Sequence, residues 1–348
     1  MIKKNIAKKH VPILMIPIRR CGSHAIRLRL NFSPDFYCPY PLHIVDFMPL
    51  IKLYGDLSHD DVYFQLVVDL IGLQNATMVK WEQVALDPVL IFESVKDKPS
   101  RGVHVIIWEM LSQAGARHNS RVVMDKSLDS VHYAKELMAL DDDLLFLNVT
   151  RNPHAQISSM NLSIIYEFDT LANTMVWVKA YDAAKELVDK YPKRVLTVRY
   201  EDFLSDSESE LRKICQFVGM EFVESMLCVE KSKEARHISS LSQLWESNTS
   251  APIMGHIDKF KKHLTENDLQ IIETLAGHHM DRYGYDRITT GAVNISTEMM
   301  DASKKQSELK KKEAWAALKK NNYKDYLLRK FRGDYIDMIK RRLLKGGA

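Results

Sequence analysis

The turn Arg19-Arg20-Cys21-Gly22-Ser23-His24 places two fixed positive charges beside a glycine and a serine, a residue set suited to holding an anion. Backbone N–H groups in such a turn, followed by a helix N-terminus, can wrap phosphate or sulfate oxygens. A second set of the same character is Arg151-Asn152-Pro153 with Ser159 eight residues after the arginine. A guanidinium can grip a phosphate with two parallel bonds, and a serine hydroxyl about two helical turns on can add a third. Taken alone, that set reads rather as a helix-capping arginine with two neutral serines, Ser158 and Ser159, on a solvated face. Two further polar clusters, Asp125-Lys126-Ser127 and Tyr200-Glu201-Asp202, each follow a short apolar run.

These clusters need elements to position them. Val11 to Ile18 is an Ile-rich apolar run expected to be a strand buried on both faces. Ile26 and Leu30, at i and i+4, fit the first turns of a helix after the anion turn. Arg121–Asp125, Leu144–Thr150 and Arg194–Tyr200 are further expected strands, with Pro153 suited to the first turn of a helix. Helices are expected over 60–73, with Asp60 or Ser58 as cap, and over 102–118, 130–140, 171–191, 208–218 and 265–283. The proline-rich stretch 31–50 excludes regular helix or a central strand and reads as a loop leaving the anion turn. Alternation of strands and helices predicts an α/β three-layer sandwich, a central parallel sheet flanked by helices. In such sheets ligands gather beyond the C-terminal ends of the strands, where all four clusters fall.

The chain has 348 residues, 46% hydrophobic and 27% charged, and no run approaches the ~20 apolar residues of a membrane span. Its four cysteines show no CxxC spacing. That usage leads us to expect reduced thiols and a cytoplasmic setting. The net charge of +4 hides an asymmetry: residues 303–348 hold 15 Lys or Arg against 5 Asp or Glu, a net +10, so the preceding 302 carry −6. Tyr323, Leu327, Phe331, Tyr335, Met338 and Leu343 lie near one stripe of an expected amphipathic helix over 322–344. We therefore divide the chain into a domain at 1–290 and a basic helical C-terminal extension at 291–348. The extension would pack on the domain, join a homodimer, or make a peripheral contact with an anionic membrane. No nucleic-acid partner is expected.

A nucleotide triphosphatase would show G-x-x-x-x-G-K-[ST], with lysine on the phosphates and a hydroxyl on Mg²⁺. The turn at 19–24 has no such Gly-Lys-Ser/Thr. The ordered set of motifs instead resembles the sulfotransferases that use 3′-phosphoadenosine 5′-phosphosulfate (PAPS), whose fold is P-loop-like. Their phosphosulfate-binding [RK]-S-G-[TS]-[TS] appears as Arg20-Cys21-Gly22-Ser23-His24, with Cys and His replacing small hydroxyl residues. Their R-[DN]-P with a serine eight residues after the arginine is matched by Arg151 and Ser159, and their D-K-[ST] by Asp125-Lys126-Ser127. Val198–Phe203 is similar to the element whose tyrosine, here Tyr200, lies by the adenine. Gly255–Leu264, containing Lys259, resembles a late basic motif, and Met280–Tyr285 a last one. The similarity spans about residues 11–285.

The resemblance implies sulfuryl transfer from PAPS, as co-substrate and without a metal, to a hydroxyl or amine of a small-molecule, carbohydrate or lipid acceptor. Arg19, Arg20, Cys21, Gly22, Ser23, His24, Arg151, Ser159, Tyr200 and Lys259 would bind the nucleotide. Arg20 would stabilise the leaving phosphate oxygen and Lys126 would assist. The acceptor's proton needs a base. One branch of the family places a histidine two residues after the lysine, where this chain has Leu128. Another places the base in the loop after the first motif, where this chain offers His43, with Asp35, Asp46 and His24 as weaker candidates. Trp81, Trp108, Trp177 and Trp245 read as packing, and Trp245 is also placed to line a lid. The competing classes are a P-loop-like small-molecule kinase, which would need Mg²⁺, and a non-catalytic polyanion- or membrane-binding protein driven by the tail.

Overall fold

Val11–Ile16 forms β1, the middle strand of a five-stranded sheet in which every pairing is parallel. The structure is a computed structural model and describes residues 10–141, 143–242, 245, 249 and 254–346. The order across the sheet is β2 (Phe36–Tyr37), β3 (Val122–Asp125), β1, β4 (Leu145–Thr150) and β5 (Val195–Arg199). The chain thus turns from one side of β1 to the other between β3 and β4, the switch point at which open parallel sheets form their ligand crevice. The proline-rich stretch is loop, as expected, except for β2. That two-residue strand sits at the sheet edge between Pro34 and Pro39, where a proline can be tolerated.

The helices in chain order are α1 (Ser23–Leu30), α2 (Asp60–Ala76), α3 (Pro88–Val95), α4 (Val103–Arg117), α5 (Ala134–Leu140), α6 (Pro153–Asn161) and α7 (Thr170–Lys190). They continue with α8 (Tyr200–Ser205), α9 (Ser207–Val218), α10 (Lys233–Leu241), α11 (Glu266–Tyr283), α12 (Thr297–Asn321) and α13 (Tyr323–Gly346). The period-two alternation of β1 sorts them into layers. Leu14 and Ile16 face Ile157 of α6, Trp177 of α7 and Met280 of α11. Ile13 and Met15 face Ile26 and Leu30 of α1 and Leu211 and Ile214 of α9. All four β1 side chains are buried, each contributing about 1.5–3 kcal/mol on transfer from water. The three-layer sandwich is therefore the observed architecture. Helices α2, α3 and α4 add a separate apolar cluster beside the sheet, which reaches it through Tyr37 and Val123.

Some boundaries differ from expectation. The cap of α2 is His59, with no side-chain cap bond, while Asp60 and Asp61 fill the first turn, where carboxylates suit the helix dipole. Residues 128–133 are a 3₁₀ stretch ahead of α5, and Tyr200 opens α8 instead of closing β5. Helices α3, α8 and α10 lie outside the expected set, and α12 falls in the extension expected to be helical but had no bounds of its own. The Asp87-Pro88 start of α3 and the Ser296 cap of α12 were legible signals, but α12 carries no strong apolar face to draw attention to it.

The basic extension packs on the domain. Along α12, Ser303 bonds Asp169 and Ser307 bonds Glu167 at the start of α7. The side chain of α13 residue Ile339 is fully buried in the α2–α4 cluster. Buried Asp69 of α2 gathers Arg342, Tyr54 Oη (2.5 Å) and, through its carbonyl, Tyr335 Oη (3.2 Å). Gly72 makes that seat: a Cβ there would lie 1.8 Å from Tyr335 Oη.

Candidate active site

Beyond β1 the chain reverses through Arg19–Gly22 and enters α1. Arg20 and Gly22 have φ of 73° and 89°, in the left-handed region. Glycine at 22 is required twice over, since a Cβ there would also meet the Tyr200 ring at 2.1 Å. Arginine at 20 in this conformation is strained, and such strain concentrates at functional sites. Helix α1 starts without a side-chain cap, and the Ala25 N–H turns back to the Gly22 carbonyl (2.9 Å).

Helix α6 locks this turn from the β4 side. Arg151 Nη1 donates to the carbonyl of Arg20 (2.7 Å), and Arg20 Nε donates to Ser159 Oγ (3.1 Å). Arg151 also lies over the Tyr200 ring, 5.2 Å from its centroid. One cluster therefore contains Arg20, Gly22, Arg151, Ser159 and Tyr200, five of the ten residues expected from sequence to bind the nucleotide. Burial and the neighbouring Arg151 push the Arg20 pKa down to about 10. Two guanidinium groups near one strand-end turn give this side of the crevice a positive character suited to an anion.

Sequence reading missed the supports. Gln156 Nε2 donates to the Arg19 carbonyl (3.0 Å), while its Oε1 accepts from Trp177 Nε1 (2.9 Å) and Tyr181 Oη (3.1 Å). Tyr181 Oη accepts from the Arg151 N–H (3.0 Å). A buried polar network of this kind fixes the turn against α7. Arg19 is ion-paired to Asp129 at 2.8 Å, and it lies 5.2 Å from the centroid of the Tyr166 ring.

A chamber of about 300 Å³ opens beside the turn. Its polar end holds Arg19, Arg20, Ser23, His24, His43 and Lys126; its apolar wall includes Tyr40, Met78, Ile164, Ile165, Trp245 and Trp315. Lys126 is 2% exposed, and burial together with Arg27 lowers its pKa to about 7. His43 is held well below 6.5 by burial and by Arg19, Lys126, Arg332 and Arg329. Its Nδ1 is buried with no hydrogen-bond partner among the described residues, as is His24 Nδ1. Burial and Lys126 likewise hold His24 well below 6.5.

The extension completes this chamber, with Trp315 from α12 and Arg329, Arg332 and Gly333 from α13. Arg332 clamps the loop that carries His43: Nη2 donates to the carbonyls of Leu42 and His43 (3.0 Å each) and Nη1 to Asp46 (2.8 Å). His43 itself has φ 51°, so its backbone needs such a hold. No motif pointed to Arg332, because it lies outside the ordered set and 289 residues from His43.

Other expected residues lie elsewhere. Cys21 is fully buried in the core behind the turn, and burial pushes its thiol up to about 11. Lys259 is exposed on the 3₁₀ stretch Met254–Lys262, away from the chamber lining. Asp46 lines the chamber but is paired with Arg332, and Asp35 is 3.9 Å from Arg121 near the sheet edge. Trp245 lines the chamber and is buried, whereas part of the expected lid segment 232–252, residues 243–244, 246–248 and 250–252, falls outside the described residues.

Residues 12–224 match the model of the sulfotransferase family, and the chain belongs to that family. Among individual relatives, it is 26% identical over 198 residues to the omega-hydroxy-beta-dihydromenaquinone-9 sulfotransferases Stf3 of Mycobacterium bovis and Mycobacterium tuberculosis. Those alignments cover 53% of this chain and 46% of each relative, so the chain spans about half the length of the relatives it matches. The fold is shared with the sulfotransferase domain of the Synechococcus PCC 7002 olefin synthase (TM-score 0.53, 19% identity, 82% of this chain and 98% of that one). It is shared also with the sulfotransferase domain of the curacin biosynthetic pathway (TM-score 0.55, 16% identity, 80% and 99%).

Proposed function

We propose that the chain transfers a sulfuryl group from PAPS to the hydroxyl of an acceptor whose body is apolar. The observation that carries the reading is the joining of the two anion sites through Arg20, whose carbonyl meets Arg151 and whose guanidinium meets Ser159. A 3′,5′-substituted nucleotide demands two such anion sites at one strand-end crevice. Gly22 lets the Tyr200 ring lie directly against the turn, beside the anion site. The donor supplies a sulfur open to in-line attack and a phosphate as leaving group; the rest falls to the protein.

His43 takes the acceptor's proton as the new oxygen–sulfur bond forms, while Arg20 and Lys126 meet the charge that gathers on the bridging oxygen as the old bond breaks. A histidine held well below 6.5 is neutral and able to accept a proton. Anionic donor oxygens beside Arg19 and Lys126 offset the charges that depress it, so its basicity rises when the site is loaded. Met78, Ile164, Ile165, Trp245 and Trp315 surround the acceptor and exclude water. The Stf3 relatives, named for a hydroxylated menaquinone, accord with an apolar alcohol as the acceptor class.

Nucleotide binding separates this reading from a kinase. By calorimetry with EDTA present, adenosine 3′,5′-bisphosphate is expected to bind, with affinity falling at least about tenfold in Arg151→Ala as a charge-assisted contact is lost. Binding that requires Mg²⁺ and prefers ATP would overturn the reading in favour of phosphoryl transfer.

A further inference from the structure

The outward face of α13 has no partner among the described residues, although it is apolar. Tyr323, Leu327, Phe331 and Met338 are 56%, 44%, 57% and 51% exposed. They follow one another at spacings of four, four and seven residues, which keeps them on one face of a helix with 3.6 residues per turn. The other face is already used, through Leu328, Tyr335, Ile339 and Leu343 packed into the body. Helix α13 is thus apolar on two sides, and folding buries one of them.

The charge around the exposed stripe says what covers it. Lys324, Arg341 and Lys345 are exposed on or beside it, and Lys319 and Lys320 are exposed at the end of α12. Residues 303–348 carry +10 against −6 for the rest of the chain, so the molecule presents this end to negative surfaces. A second copy of the chain would bring a second basic face into contact with the first, which like charges oppose. Long lysine and arginine stems can lie along an apolar phase with their heads in the headgroup layer, while Tyr323 and Phe331 enter it.

We propose that the outward face of α13, with the end of α12, seats the protein on an anionic lipid surface. The contact is peripheral, as no helix among the described residues is long and apolar enough to cross a membrane. It does not depend on the transfer reading. Added to that reading, it gives an amphiphilic alcohol a route, because α12 and α13 also supply Trp315, Arg329 and Arg332 to the chamber wall.

Sedimentation of the full chain with vesicles tests this, using pure phosphatidylcholine against phosphatidylcholine containing phosphatidylglycerol, with no nucleotide or acceptor present. Partition onto the anionic vesicles is expected to be at least about tenfold stronger and to weaken as salt screens the surface. Leu327→Asp with Phe331→Asp should lower it about tenfold without moving the melting temperature, since neither side chain is packed in the body. Lys324→Glu with Arg341→Glu should remove the preference for anionic vesicles. Equal partition onto both vesicles, or none at low salt, would overturn the proposal. So would a solution dimer that the Leu327/Phe331 variant disperses, which would give the face to a second copy. None of these outcomes bears on nucleotide binding, so the two readings fail separately.

Discussion

His43→Ala will lower kcat by about 10²–10⁴-fold while adenosine 3′,5′-bisphosphate binding stays within about twofold, the range expected on losing a general base that does not hold the nucleotide. The pH profile adds a sign. Because the unloaded His43 is held well below 6.5, kcat/KM should keep its plateau at pH values under 6.5 and fall only when the imidazole finally protonates. Arg332→Ala removes one of the charges that depress it, so the acid limb should move upward, with a loss in kcat of about tenfold from the unclamped loop. His24→Ala serves as the control, because it lines the same chamber with an equally unpartnered Nδ1. If His24→Ala shows the large kcat loss and His43→Ala does not, the base is His24.

Arg20→Ala will cost about 10²–10³ in kcat, about 2.7–4 kcal/mol, as expected for one donor aimed at developing negative charge. It will also weaken the bisphosphate, because the same guanidinium holds Ser159. Arg20→Lys separates the two effects: an ammonium restores charge near the bridging oxygen but cannot repeat the fixed fork of a guanidinium. Partial rescue of kcat with a persistent binding defect is the expected pattern. A full rescue of both would mean that Arg20 acts only as a positive charge. Gly22→Ala is predicted to be folded poorly or inactive, given both its φ of 89° and the Tyr200 ring.

The parallel sheet and most helices were legible because short apolar runs and proline punctuation leave few alternatives. Leu145–Thr150 followed by Pro153 is the clearest case. The gathering of Arg20, Gly22, Arg151, Ser159 and Tyr200 was legible too, since they stand at or near strand ends that topology brings together. What the sequence concealed is long-range pairing without local pattern. Gln156 looks like any polar helical residue until Trp177 and Tyr181 surround it. Asp129 gives no sign that it will neutralise Arg19. The extension looked separate because its composition changes sharply. Its attachment includes long-range contacts, such as Asp69 to Arg342 and Arg332 to the His43 loop, that no periodicity encodes. Lys259, a motif position matched in sequence, lies exposed and off the chamber lining.

The most direct measurement is transfer of labelled sulfur from PAPS to a panel of alcohols of increasing apolar length, in EDTA, with wild type and Arg20→Ala side by side. The account predicts a labelled sulfate ester on apolar alcohols, with one adenosine 3′,5′-bisphosphate released per ester and the rate falling about 10²-fold or more in the variant. No transfer to any hydroxyl by a protein that binds the bisphosphate, or transfer that Arg20→Ala leaves unchanged, would contradict it.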